Sequence, residues 1–387
     1  MAMDLPFTYN QYVTGKYFIG RRKECSILQN LIKEKENIVL SSPPKTGKMS
    51  VIQQTIFNMD TNGKTFIIGH AKLFNITSVN DFAIKYISAI LANFAQRPDD
   101  IRKTVETMLD ETHFVFDSDR FGSCGEAVSL NWDADDNDLR AAFMLQEKIS
   151  EQTGKQVILI LQDFDQLLSL HETEYERILT TMREVLTEIR ENGSQKSSII
   201  MTGSHVNVMK YIFREKFYLR RLVEHLPLEE VDERDISENM VKGFLVTGKV
   251  IEKDEAIGAV KLFKNHLWYI NHFSAICDAL SKGYVSELVM ADALKTIINI
   301  HQGSFIDKMN DLTSHQKSLL KATLDGVTKF SSNDIIEKYR LNSSANVRRV
   351  KDALMKKEII TFNDREEPEI IDPLFEYWLR NYYYSKQ

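Results

Sequence analysis

The strongest constraint on the fold is an alternation. Short, densely apolar runs take turns with segments of helical spacing between residues 38 and 205. The runs are Ile38-Val39-Leu40, KTFIIGHAKL from Lys64, the five consecutive apolar residues Val157–Leu161, and SSIIMTGSH from Ser197. Runs so short and so apolar are predicted to be strands buried on both faces. Between them, MSVIQQTIFNM places Val51, Ile52, Thr55, Ile56 and Met59 on one helical face. SVNDFAIKYISAILANF opens on Ser78, a predicted N-cap with Asp81 three residues on, and the helix LRAAFMLQEKISEQTGK closes on Gly154 in the manner of a C-cap. YERILTTMREVLTEIREN is a further helix, and residues 97–140 read as a polar stretch without a strong period. Strands separated by helices require crossover connections, so an α/β core is expected, a parallel sheet with helices on both faces.

After Glu230 the strand signals stop, and three long segments from DISENMVKGF to SFIDKM read as helices. From Leu312 the pattern changes again. SHQKSLLKATLDG, SSNDIIEKY and SSANVRRVKDALMKKE are three short helices, and IITFNDREEPEIIDP is a two-stranded ribbon around a polar tip. Three helices and a ribbon predict a winged helix-turn-helix. The expected domains are an α/β core over 1–228, a helical lid over 229–308 and a winged helix over 309–387.

A chain of 387 residues with 43% hydrophobic residues has the material for two or three cores. The net charge of −6 gives no general reason for nucleic-acid binding. From Leu312 onward, however, 13 Lys and Arg outnumber 11 Asp and Glu. Cys25, Cys124 and Cys277 are far apart and contain no metal-binding spacing. The opening MAMDLPFTYN lacks the apolar core of a leader, and no run is long enough to span a membrane. A cytoplasmic protein without membrane contact is expected.

The loop between the first strand and its helix reads SSPPKTGKMS, Ser41 to Ser50. It approximates the phosphate-binding pattern G-x-x-x-x-G-K-[ST], with Ser42 at the first glycine and Met49 at the metal-binding hydroxyl. Gly47 and Lys48 are in place. Pro43 and Pro44 donate no N–H, but the amides from Lys45 through Thr46, Gly47 and Lys48 to Met49 remain at a helix N-terminus, where an anion is favoured. The thioether of Met49 is a poor ligand for Mg²⁺, and Ser50, one residue later, is turned about 100° around the helix. The plainer reading is a Pro-Thr-Gly turn beside an ordinary helix.

Further motifs in order extend the likeness. YFIGRRKECSILQNLI carries Phe18, Gly20, Arg21 and Glu24; VILILQDFDQL, IIMTGSHVNVMKYIF, FYLRRLVEHLPL and DPLFEYWLRNYY follow. Nearly end to end, the chain resembles the archaeal-type ATPases of the STAND branch of AAA+ P-loop proteins. The resemblance implies ATP or ADP as cofactor, with Gly20 and Arg21 in the segment lying against the adenine. It makes VILILQDFD the Walker B strand and Arg220 the arginine of the segment before Pro-Leu.

The departures bear on turnover. Aligned on Phe164, the metal aspartate and the water-polarising glutamate of the family become Gln162 and Asp163, the register we prefer. Shifted by one, Asp163 takes the metal position and Phe164 that of the glutamate. Leu267 stands where the family's lid has a proline. Each lost electrostatic group costs about 3 kcal/mol, roughly two decades in rate. The resemblance therefore implies an ATP- or ADP-binding switch with weak or lost hydrolysis and at most a weak role for Mg²⁺. In it Lys48 stabilises phosphates, Asp163 aligns water and Arg220 stabilises charge. Two alternatives are a pseudo-ATPase scaffold for a protein partner and a winged-helix DNA-binding regulator.

For DNA, SSANVRRVKDALMKKE turns Val347, Val350 and Leu354 inward and Asn346, Arg349, Lys356 and Lys357 outward, but the wing tip NDREEPE is acidic. DADDND, Asp133 to Asp138, is expected as a solvated turn opening the next helix rather than a calcium loop. The nine histidines show no ligand spacing; His266 and His272 are expected on opposite faces of a helix, and Trp132, Trp268 and Trp378 are expected as core anchors.

Overall fold

The computed structural model describes residues 6–61, 66–95 and 97–385. The chain forms two compact units. One comprises Arg22–Ser42 and Gln54–Leu228; the other comprises Met1–Arg21, Pro43–Gln53 and Glu229–Gln387.

In chain order the first half gives α1 (Arg22–Lys33), β1 (Ile38–Ser41), α2 (Lys48–Thr61), β2 (Phe66–Lys72), α3 (Val79–Phe94) and α4 (Pro98–Met108). It continues with β3 (Phe114–Phe116), α5 (Ser118–Cys124), β4 (Val128–Leu130), α6 (Asp136–Thr153), β5 (Gln156–Gln162), α7 (Glu172–Glu191), β6 (Ser198–Gly203), α8 (Val206–Lys210) and β7 (Glu224–His225). The main sheet has the order β2-β5-β6-β1-β7, and every pairing in it is parallel. The register sets Ile38 opposite Ile200, Ile158 opposite Ser198 and Lys72 opposite Gln162. Ser41, Gln162 and Gly203 therefore end their strands at the same edge, the carboxyl edge, where parallel sheets bind ligands. Lys64 and Thr65 of the second expected strand lie outside the described residues.

Val157–Leu161 of β5 is fully buried, as a central parallel strand requires. On one face Phe82 and Tyr86 of α3 pack with Phe143 of α6, and the Tyr86 hydroxyl donates to Gln146. Ser78 caps α3 by accepting from the Asp81 amide, and Gly154 closes α6 in a left-handed conformation. Residues 97–140 are more structured than their polarity suggests, containing α4, the antiparallel hairpin β3–β4 and α5. Each element is short and buries few residues, such as Ile101, Thr104 and Val105 in α4, so the polar residues between them dominate the composition of the stretch. Trp132 stands 74% exposed and anchors no core.

The second half gives α9 (Glu233–Val246), α10 (Lys253–Leu262), α11 (Leu267–Leu280) and α12 (Glu287–Asn310). It ends with α13 (Ser314–Leu324), α14 (Asn333–Lys338), α15 (Ser344–Lys356), β8 (Ile360–Phe362), β9 (Pro368–Ile370) and α16 (Pro373–Trp378). Helices α13 to α15 and the antiparallel ribbon β8–β9 form the winged helix, whose Val347, Val350 and Leu354 are buried. Phe244, Phe263, Phe273, Phe305 and Phe375 fill the core of this unit, and Phe7 packs on Phe244 at 4.6 Å between ring centroids. Among the described residues, no helix is long and apolar enough to cross a membrane.

Asn37, 4% exposed, ties the sheet together just before β1. Its side-chain oxygen accepts from the Ile199 amide at 3.0 Å, its nitrogen donates to the Leu222 carbonyl at 3.3 Å, and its own carbonyl accepts from Glu224. Asn37→Ala strands two buried backbone groups, so we expect a loss of about 2 kcal/mol in urea unfolding. Far-UV circular dichroism at low denaturant should stay unchanged.

Candidate functional site

The loop after β1 is held in a tight curve by its own backbone. The Pro43 carbonyl accepts from the Thr46 hydroxyl at 2.8 Å and from the Lys48 ammonium at 2.9 Å. Gly47 has φ +94°, which an L-side chain rarely adopts, and a Cβ there would meet Nη1 of Arg21 at 3.4 Å. Lys48 is buried and opens α2. Its amide and those that follow belong to the first helical turn, whose N–H groups have no carbonyl within the helix.

Arg21 reaches this loop from the N-terminal segment, its Nη1 donating to the Thr46 carbonyl at 2.6 Å. It is placed there by Gly20, whose φ is +61° and where a Cβ would lie 2.7 Å from Val231 Cγ1. Ser50 is half-buried, and its hydroxyl accepts from the Val13 amide at 3.2 Å. The structure thus brings Gly20, Arg21, Lys45, Thr46, Gly47, Lys48, Met49 and Ser50 together in one unit, with three cationic side chains around the loop.

The remaining candidates belong to the other unit. Gln162 ends β5, and its oxygen lies 2.9 Å from His70 Nε2, which burial holds below the ordinary histidine pKa. An uncharged His70 bonding an amide oxygen through Nε2 carries its proton there. The Gln162 amide nitrogen donates to Asp163 at 3.1 Å, and Asp163 sits at φ +60° where the strand gives way to a 3₁₀ turn. Arg220 is separate from them, exposed on a turn with its guanidinium 5.0 Å from the Phe217 ring centroid.

Two groupings escaped the sequence. Asp165, 4% exposed, accepts from the Ser204 amide at 3.1 Å and from the His205 ring. Burial would raise its pKa, but the His205 bond and charge with the Ser204 amide hold it below the usual carboxylate range. This buried carboxylate ties the turn after β5 to the end of β6, a pairing across 39 positions that only the presence of a second acid in QDFD could have suggested. The other is His113, which lies against Asp135 and Asp138. Asp138, expected in a solvated turn, is instead fully buried: it accepts from the His113 amide at 2.8 Å, the His113 ring at 2.9 Å and the Asp135 amide at 2.8 Å, completing the cap of α6.

The lid helices place an aromatic cluster on the phosphate loop. Lys264 and Asn265 adopt left-handed conformations and split the expected helix into α10 and α11. His266 is consequently the N-cap of α11, and it joins His272 in one cluster instead of occupying an opposite face. His266 Nε2 lies 3.3 Å from the Pro44 carbonyl, so Nε2 carries the proton and Nδ1 is left without a partner. His272 stacks on Tyr9 at 4.2 Å, and Trp268 meets both His272 and His301 edge-on. Lys45 Nζ lies 3.4 Å from the centroid of the Trp268 ring. Although Lys45 as a residue stays exposed, lost hydration at its ammonium lowers its pKa, with Asp372 opposing. Tyr269 donates to both oxygens of Asp372, at 2.9 and 3.0 Å, and Asp372 caps α16 through the Leu374 and Phe375 amides.

On the winged helix, Arg349 and Lys356 of α15 are exposed. Asn346 does not face outward freely, because its amide donates to the Leu341 carbonyl at 2.9 Å; Lys357, exposed, donates to the Asp311 carbonyl at 3.1 Å.

Comparison with known proteins supports this architecture. Residues 303–381 match the family model described as a probable winged helix domain. The Walker-type ATPase of Pyrococcus abyssi is similar in structure with a TM-score of 0.66 at 14% identity, covering 97% of this chain and 99% of that one. The ORC2 protein of Aeropyrum pernix, solved as ADPNP–ADP complexes, is similar with a TM-score of 0.53 at 14% identity, covering 98% of each chain. Its ADP form gives 0.55 at 13% identity, covering 98% of this chain and 97% of that one. No curated protein matches the sequence. The fold is thus AAA+-like, with a parallel sheet core, helices and a C-terminal winged helix.

Burial lowers His272 to a pKa of about 4, with His301 and Lys45 adding to the shift. In the unfolded chain it returns to the ordinary value of 6.5. As pH falls from 6.5 toward 4 the unfolded chain gains a proton that the folded chain refuses, and stability is lost. Denaturant midpoints should therefore fall across that window, and His272→Phe should flatten the slope.

Proposed function

We propose that this chain is an ATP- and ADP-binding switch of the STAND/AAA+ type, related to the archaeal-type ATPases, with weak or lost hydrolysis. The observation that carries the reading is the phosphate loop: Gly47 in its left-handed turn, Lys48 buried at the head of α2, and Arg21 against the loop backbone. A nucleotide would supply a polyphosphate. The amides from Lys45 to Met49 would donate to its oxygens at the helix N-terminus, and Lys48 would exchange the Pro43 carbonyl for a phosphate oxygen. The similarity to an ORC2 protein solved with ADPNP and ADP is in keeping with this.

Magnesium does not fit the residues present. Met49 offers a thioether, the Ser50 hydroxyl is already bonded to the Val13 amide, and the Gln162 amide is shared between His70 and Asp163. No step is therefore assigned to a metal. Asp163 as the group that aligns water and Arg220 as a stabiliser of developing charge remain the candidates for residual turnover. The reading places the protein in the cytoplasm with a protein partner to which the switch reports.

Calorimetry on the full chain, with ATP and ADP and with or without Mg²⁺, tests the binding claim. We expect both nucleotides to bind, with little dependence on Mg²⁺, and Lys48→Ala to weaken binding at least tenfold, about 1.4 kcal/mol. No heat from either nucleotide would refute it. A second measurement addresses turnover: phosphate release should be near background in the natural chain and rise in Met49→Thr combined with Gln162→Asp. No rise with nucleotide bound would favour a partner-binding scaffold.

The DNA-binding alternative rests on Arg349 and Lys356, exposed on α15. Against it stands the acidic wing tip, where Asn363 folds the turn by accepting from the Arg365 and Glu367 amides. Binding to random duplex at low salt that fades steeply with added salt would support this alternative.

A further inference from the structure

We propose that Trp268 sets the affinity of the phosphate loop by competing with the ligand for Lys45. The inference rests on the nucleotide-binding reading given above. Lys45 is the first residue of the loop able to offer an amide, and its ammonium is the loop's cation nearest an aromatic face, 3.4 Å from the Trp268 centroid. Lys45 stands at φ +61°, a conformation unfavourable for any residue with a Cβ. A polyphosphate arriving at the loop is a stronger partner for an ammonium than an indole face, because opposite full charges attract more than a charge and a quadrupole. Ligand and Trp268 therefore exclude each other at this side chain, and part of the binding free energy is spent on parting Lys45 from the ring.

The packing around Trp268 is polar as well as aromatic. Among the described residues, His266 Nδ1, His272 Nδ1 and His301 Nε2 are buried without a hydrogen-bond partner. Buried polar atoms left bare are costly, and loosening the cluster would let water reach them. Protonation offers no relief while the cluster is closed, since burial lowers both His272 and His301 and the neighbouring Lys45 adds to the shift. The charged groups facing the cluster are Lys45 from the loop, Lys308 from α12 and Asp372 ahead of α16.

The same cluster leads to the winged helix. Trp268 adjoins Tyr269, whose ring lies 5.1 Å away edge-on and whose hydroxyl holds the Asp372 carboxylate. Lys308 approaches the same carboxylate at 4.0 Å. Parting Lys45 from Trp268 thus acts on the residue that caps α16, which gives the loop a physical route to the C-terminal module.

The test uses the full chain carrying Trp132→Phe, which removes the exposed indole and leaves Trp268 and Trp378. Titration with ATP, ADP and inorganic triphosphate is followed by calorimetry and by indole emission. We expect an emission change on binding that disappears in Trp268→Phe, for triphosphate as well as nucleotide. Trp268→Leu should tighten ATP binding about three- to tenfold, the range of a partly exposed cation–π contact. In a Lys45→Met background the same substitution should change affinity less than twofold. Heat of binding with no emission change, or with Trp268→Leu binding unchanged or weaker, overturns the competition while leaving the nucleotide site standing. Absence of heat in every protein removes the site, and the inference with it.

Discussion

The carbonyl oxygen of Pro43 is the point on which the loop's shape depends. Two prolines fix the direction of the chain as it leaves β1 and contribute no N–H, so the first hydrogen-bonding group the loop can use is an acceptor. That acceptor takes the Thr46 hydroxyl and the Lys48 ammonium together, closing the curve from within. Arg21 then takes the next outward carbonyl, that of Thr46, and Gly47 supplies the backbone conformation that lets both bonds form. The Pro43 acceptor thus joins the curve of the loop to the position of Lys48.

Around this curve the chemistry is rich in cations and poor in groups that hold metals. Lys45, Lys48 and Arg21 suit an anion, whereas the thioether of Met49 occupies a position at which the resemblance to P-loop ATPases implies a hydroxyl. Gripping a polyphosphate and hydrolysing it are separate demands. Amides and ammonium groups satisfy the first, while the second needs charge placed where it develops during reaction. The Asp165–His205 pair illustrates the other use of a carboxylate at a sheet edge. Its oxygens are consumed by two backbone amides and an imidazole, which makes it a brace between strands.

The strands of the α/β core were legible because each apolar run is a sheet position buried on both faces, as Val157–Leu161 shows. The winged helix was legible because Val347, Val350 and Leu354 recur at helical spacing. Residues 97–140 were not, since β3 and β4 are three residues each and the one helical period, Ile101, Thr104 and Val105 in α4, is short and set among polar residues. The break between α10 and α11 left no mark because Lys264 and Asn265, neither a glycine, adopt the left-handed region. The turn after β1 was readable from Gly47, whose φ of +94° bends the loop into α2. What surrounds it was not: His266, His272, His301, Trp268 and Tyr9 come from three separate segments, and local spacing carries no information about such meetings.

Asp372 receives the Tyr269 hydroxyl and at the same time caps the helix that closes the winged helix. A single carboxylate thus serves the lid and the terminal module simultaneously. A winged helix of this construction is not an interchangeable cassette. Grafting a foreign module onto this lid, or excising the native one, would strand a buried phenol and uncap a helix in one cut, so recombination can succeed only where the donor brings an acid to the same place.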